Sequence, residues 1–128
     1  LMPSLTALPV AIAARVEALI RQLPDRIPDR PRPRLLHGDL WSGNIHFSGG
    51  TGVLIDPACY YGDPEVDLAM LELFGSHPAA FLEGYGGFLP GDAERRPIYQ
   101  IWPALVHVRL FGGTYYRILE RLLHEAGV

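Results

Sequence analysis

The segment Pro24–Arg34, PDRIPDRPRPR, limits the fold more than any other part of this chain. Proline fixes φ and carries no amide proton, so neither a helix interior nor a central strand tolerates it. Four prolines fall within these residues, with Asp and Arg alternating between them. Residues 24–34 therefore read as an exposed, stiff connector. Before it, Ile12, Val16, Leu19, Ile20 and Leu23 recur at helical spacing and predict an amphipathic helix over about 9–23, stopped by Pro24.

The second break is Ser48-Gly49-Gly50-Thr51-Gly52, a hairpin turn between strand candidates Asn44–Phe47 and Val53–Ile55. Pro57–Pro64 reads as irregular. A helix is expected from about Glu65 to Phe74, a shorter one over Pro78–Tyr85, and a loop over Gly86–Pro90. From about Arg96 to Glu125 the pattern gives two helices, with a bend near Gly112-Gly113. The fold class is thus α+β, mostly helical, with one β-hairpin in the first half. At 128 residues, 1–128 is expected to form a single domain around one core.

Apolar residues at 48% and charged residues at 20% are ordinary for a globular protein. The net charge of −3 argues against a nucleic-acid partner. No apolar run approaches the ~20 residues of a membrane span. Leu1–Val10 has no basic start of the kind a signal peptide carries. The lone Cys59 rules out an internal disulfide framework and fits a reducing compartment, so a cytoplasmic location is expected. All eleven basic residues are arginine, so any chemistry that needs a lysine has to be completed by other residues.

The chemistry gathers at His37-Gly38-Asp39-Leu40-Trp41-Ser42-Gly43-Asn44, which has the H-x-D-x-x-x-x-N spacing of kinase catalytic loops. Phosphoryl transfer asks the protein for a positioned acceptor hydroxyl and for metal ions that neutralise phosphate charge. Asp39 can accept the hydroxyl proton. Asn44 offers a neutral carbonyl oxygen, a hard ligand suited to Mg²⁺. A turn centred on Gly50 would place Asn44 opposite Asp56, with Cβ atoms about 5 Å apart. At about 2.1 Å per Mg–O bond, two such side chains can share a metal site. Val53-Leu54-Ile55 would form a buried strand presenting the Asp56 carboxylate at its end.

Taken singly, each residue also has a purely structural explanation. Asp39 could cap a turn, Asn44 could open a strand, and Asp56 before Pro57 could be turn chemistry. His37 is read as a brace for the loop rather than a catalyst, and His46 as solvent-facing. His77, His107 and His124 lack metal-ligand spacing. Asp67, in Gly62-Asp63-Pro64-Glu65-Val66-Asp67, is either an ordinary first-turn acid or a buried carboxylate tying the catalytic loop to its helix; the second, structural role is preferred.

LLHGDLWSGN, IDPACYYGDPEVDLAM and HVRLFGGTYY resemble the fructosamine/ketosamine-3-kinase family, within the aminoglycoside phosphotransferase-like, protein-kinase-like group. The resemblance runs from about Arg15 onward. HGD…N…D indicates only the wider group, whereas Leu-Trp-Ser-Gly and Ala-Cys-Tyr-Tyr-Gly narrow it. It implies a protein-kinase-like C-terminal lobe, with Asp39 as catalytic base and Asn44 and Asp56 as Mg²⁺ ligands. It further implies Trp41 against the sugar acceptor, unless that ring only packs the loop, and His37 and Asp67 as structural support. The implied reaction is ATP- and Mg²⁺-dependent phosphorylation of a sugar hydroxyl on a fructosamine (ketosamine) small molecule or glycated protein, a deglycation step. The amino-terminal lobe of such kinases, with its lysine, has no counterpart here, so the chain is expected to be a fragment that is inactive alone. Alternatives are a kinase for an aminoglycoside, choline or homoserine, or an inactive truncated binding remnant.

Overall fold

The structure, a computed structural model, describes residues 8–29, 31–75, 79–87 and 89–128. His77 and Pro78, named above, lie outside the described residues. The chain forms two compact units, Leu1–Asp29 with Ala93–Val128, and Arg30–Asp92.

In the first unit, helix α1 (Val10–Arg26) buries Ile12, Val16 and Leu19, the single stripe its spacing predicts. It does not stop at Pro24. That proline sits in the last turn, where losing its own N–H costs only one bond, and the Ile27 N–H still reaches the Leu23 carbonyl at 3.1 Å. Helix α4 (Asp92–Phe111) begins ahead of Arg96 and contains Pro97 and Pro103. The expected bend lies at Gly112, with φ of 80°, followed by a 3₁₀ turn (Gly113–Tyr115) and helix α5 (Tyr116–Glu125).

Leu119, Leu122 and Leu123 of α5 are fully buried. The helix ends on Gly127, φ 81°, with Val128 N–H bonded to the Leu123 carbonyl and Gly127 N–H to that of His124. This is a Schellman ending. Two arginines of α1 reach the same end: Arg15 donates to the Val128 carbonyl from Nε (2.9 Å) and Nη2 (2.7 Å), and Arg26 Nη2 donates to that of Ala126 (2.9 Å). Cations here also suit the negative end of the helix dipole. Among the described residues no helix is long and apolar enough to cross a membrane.

The second unit holds two antiparallel two-stranded sheets rather than one hairpin. Strand β1 (Arg34–Leu36) pairs with β4 (Tyr60–Gly62), and β2 (Ile45–Ser48) with β3 (Thr51–Leu54). Strand β4 falls inside the stretch expected to be irregular. Strand β3, expected to be buried, is exposed along its length. Helix α2 (Glu65–Leu73) buries Leu68, Ala69 and Leu71, and the short helix α3 (Ala79–Tyr85) follows. Asp63 opens α2, its Oδ1 accepting the Glu65 N–H at 3.0 Å and its carbonyl the Val66 N–H at 3.0 Å. An acceptor there satisfies amides that the first helical turn leaves open.

Candidate active site

Strand β1 ends at buried Leu36 and hands the chain to His37-Gly38-Asp39. Gly38 has φ of +85°, a conformation that favours glycine, and it turns the loop out of the strand. Asp67, in the first turn of α2, is only 4% exposed. Its Oδ2 accepts the His37 N–H at 2.8 Å and its Oδ1 accepts the Gly38 N–H at 3.0 Å. A carboxylate buried to this degree needs such donors, and its position at a helix start adds favourable dipole.

His37 closes the loop from the other side. Its Nδ1 accepts the Asp39 N–H at 3.2 Å, so Nε2 carries the ring proton and donates to the Ile55 carbonyl at 2.7 Å. The His37 carbonyl accepts the Ala58 N–H at 2.7 Å. The imidazole therefore joins this loop to the residue just before Asp56. Leu40 is buried beneath the loop.

Asn44 closes the 3₁₀ turn Ser42–Asn44, with its N–H on the Trp41 carbonyl at 2.9 Å. It is 6% exposed. Its Nδ2 donates to the Asp39 carbonyl at 2.9 Å and approaches Asp39 Oδ2 at 3.4 Å. The two residues are thus brought together, and with the amide nitrogen turned to Asp39, the amide oxygen is the atom left for a cation.

The β2–β3 register differs by one from the expected register. Ile45 faces Leu54 and Ser48 faces Thr51, around a two-residue turn at Gly49-Gly50 with φ of 56° and 79°. Asn44 therefore faces Ile55, whose N–H donates to the Asn44 carbonyl at 3.0 Å, and not Asp56. Asp56 comes next, is exposed, and has φ of +50°, unusual for a residue with a side chain. That turn breaks the alternation on which the facing-pair argument relied. Asp56 still adjoins Ile55, which Asn44 and His37 both hold, but among the described residues no hydrogen bond links its carboxylate to the other site residues.

Trp41 is 41% exposed, and its six-membered ring lies over Gly43. A Cβ on Gly43 would fall 2.2 Å from Cη2 of the indole. The ring thus packs on its own loop. His46 is exposed, with Nε2 3.3 Å from the Gly43 carbonyl.

The ring of Tyr60, within the Ala-Cys-Tyr-Tyr-Gly run quoted above, meets Gly38. Burial, and then the negative charge of Asp67, raise its phenol above the usual value. Tyr85 donates to the Pro64 carbonyl at 3.0 Å, and burial followed by the charges of Asp67 and Asp63 push its phenol up to about 12. A cavity of about 480 Å³ is lined by Arg32, Arg34, Glu65, Leu68 and Tyr85 among others, but by none of Asp39, Asn44 or Asp56. Among the described residues no three His, Cys, Asp or Glu side chains gather as a metal cluster. A cation at this loop would be held by one amide oxygen, one carboxylate and oxygens of its ligand, as Mg²⁺ sites on phosphates usually are.

Comparison with known proteins bears on this arrangement. The fructosamine kinase family model matches residues 8–126. A Synechocystis sp. protein named "Probable ketoamine kinase" is 45% identical over 121 residues, 91% of this chain and 39% of the relative. A Thermobifida fusca crystal structure described as a "putative fructosamine-3-kinase" superposes with a TM-score of 0.83 at 36% identity, over 94% of this chain and 43% of that one. An amicoumacin kinase solved with AMP-PNP, Ca²⁺ and Ami shares the kinase-like fold at a TM-score of 0.65 and 18% identity. The chain spans about two-fifths of the length of the first two of these relatives.

Proposed function

This chain belongs to the fructosamine kinase family, and from that premise we propose that it supplies the catalytic loop and metal-holding residues for ATP-dependent phosphorylation of a sugar hydroxyl on ketosamines. The observation that carries the reading is the Asn44 amide bonded to Asp39, within a loop that Asp67 and His37 hold at both ends.

The geometry supports a role for each residue. Asp39 accepts the proton of the acceptor hydroxyl and orients its oxygen for attack. Its backbone is fixed twice, by His37 at its N–H and by Asn44 at its carbonyl, which limits how far the carboxylate can swing. Asn44 and Asp56 fit a small hard cation, because one offers an amide oxygen and the other an exposed carboxylate. When bound, Mg²⁺ supplies neutralisation of phosphate charge. Trp41 presents the indole face not packed on Gly43 as a surface for the sugar.

The same family reading implies that phosphorylated ketosamine products are made labile, so the reaction serves deglycation of metabolites or proteins. Kinases of this kind also use a lysine on the nucleotide phosphates. These 128 residues contain none, so this contribution comes from elsewhere and the chain by itself transfers little or no phosphate.

The test is phosphate transfer from Mg-ATP to a fructosamine, measured for the chain alone and for the chain joined behind the amino-terminal portion of the Thermobifida fusca relative. Transfer by the joined protein, with choline far poorer as acceptor, supports the reading. Equal use of choline, or no transfer to either, overturns it.

A further inference from the structure

Tyr60 opens β4 and pairs with Leu36, the last residue of β1. The antiparallel track continues past the strands, since the Ala58 N–H donates to the His37 carbonyl at 2.7 Å. Residues 58–60 therefore run alongside residues 36–38, the entry to the catalytic loop.

Along that track the Tyr60 ring stands between two glycines. A Cβ on Gly38 would lie 2.9 Å from ring Cε1 and 3.1 Å from Cδ1. A Cβ on Gly62 would lie 3.4 Å from Cε2 and 3.7 Å from Cδ2. One ring edge meets Gly38 and the opposite edge meets Gly62. Gly38 is thus flanked by the Asp67 carboxylate at its N–H and, where a side chain would stand, by the Tyr60 ring and by the Ala58 methyl, 3.2 Å from the same Cβ position. Its φ of +85° gives Asp39 its direction, and a glycine left without the ring has wide conformational freedom. All of the Tyr60 contacts come from ring carbons. The phenol oxygen contributes none of them.

We propose that Tyr60 is a positioning residue for the transfer reaction: its ring, wedged between Gly38 and Gly62, holds Gly38 in its turned conformation and so aims the Asp39 carboxylate. The proposal rests on reading Asp39 as the proton acceptor. It assigns the work to the ring and not to the hydroxyl, which separates Tyr60 from a residue that binds the acceptor through its phenol.

The test uses the joined protein with three substitutions, Tyr60→Phe, Tyr60→Leu and Tyr60→Ala, measuring kcat, nucleotide KM and amide exchange at Gly38. Tyr60→Phe keeps the wedge and leaves kcat within about 2-fold. Tyr60→Ala releases Gly38, and a displacement on the order of 1 Å at the loop lowers kcat by roughly 10- to 100-fold with nucleotide KM within about 3-fold. Tyr60→Leu, which fills volume without the flat ring, falls between them. Gly38 exchange speeds up in the same order. A Tyr60→Phe loss as large as that of Tyr60→Ala overturns the proposal, as does a Tyr60→Ala change confined to KM or unchanged Gly38 exchange. Absence of transfer by the unsubstituted joined protein refutes the kinase reading instead, and the Gly38 exchange rates still decide the wedge.

Discussion

Asp67 makes two hydrogen bonds, both to backbone amides of the loop whose geometry matters most. Asp67→Ala strands the His37 and Gly38 amides in a buried place. The expected cost is about 1–3 kcal/mol, read as a drop in unfolding midpoint. With Asp39 as the proposed proton acceptor, Asp39→Asn should spare the fold while lowering kcat by ~10²–10⁴ with nucleotide KM nearly unchanged. Tyr85 gives a pH prediction. Its phenol is raised from 10.0 to about 12, so the stability it contributes is fully present below pH 10 and is lost as pH climbs through about 12. Ultraviolet titration should show a phenol ionising near pH 12 that vanishes in Tyr85→Phe, while the raised Tyr60 phenol remains. At this scale the sequence was informative where spacing mirrors chemistry: Asp39, Asn44, His37 and Asp67 stand in one hydrogen-bonded group. It did not place the Tyr60 ring, because a ring fitting between Gly38 and Gly62 leaves no periodic trace in the chain.

Among the elements, the hairpin shows how one residue of turn length redirects a site. Reading five turn residues centred on Gly50 placed Asn44 against Asp56, whereas the two-residue Gly49-Gly50 turn places it against Ile55. Both glycines have positive φ, the signature of a type I′ turn, which matches the twist of the flanking strands. Gly50→Ala puts a side chain into that left-handed conformation and should destabilise the hairpin by roughly 1–2 kcal/mol, visible as faster amide exchange across β2 and β3. Strand β4 escaped notice because its three residues lie in a stretch bounded by Pro57 and Pro64, and pairing with β1 is a long-range event. Helix α1 runs past Pro24 but ends two residues later, at Arg26, so the proline still marks the helix end to within one turn. The helices of the last third were legible from their spacing and from the Gly112-Gly113 break.

For the whole molecule, family membership rests on a match across residues 8–126, while this chain spans about two-fifths of the relatives' length. The motifs that carried the resemblance were legible because catalytic loops preserve spacing between a few polar residues. The division into two compact units was not, since it depends on contacts between the segments before residue 29 and after residue 93. The central claim is that Asn44 and Asp56 share one divalent ion beside Asp39. It is tested most directly by adding Mn²⁺ with ATP to the ¹⁵N,¹³C-labelled joined protein and following paramagnetic broadening. The expected result is strongest broadening at the Asn44 side-chain amide and the Asp56 carboxylate, with the Asp56 broadening lost in Asn44→Ala and the Asn44 broadening lost in Asp56→Ala. Sharp Asn44 and Asp56 signals at saturating Mn-ATP would contradict it.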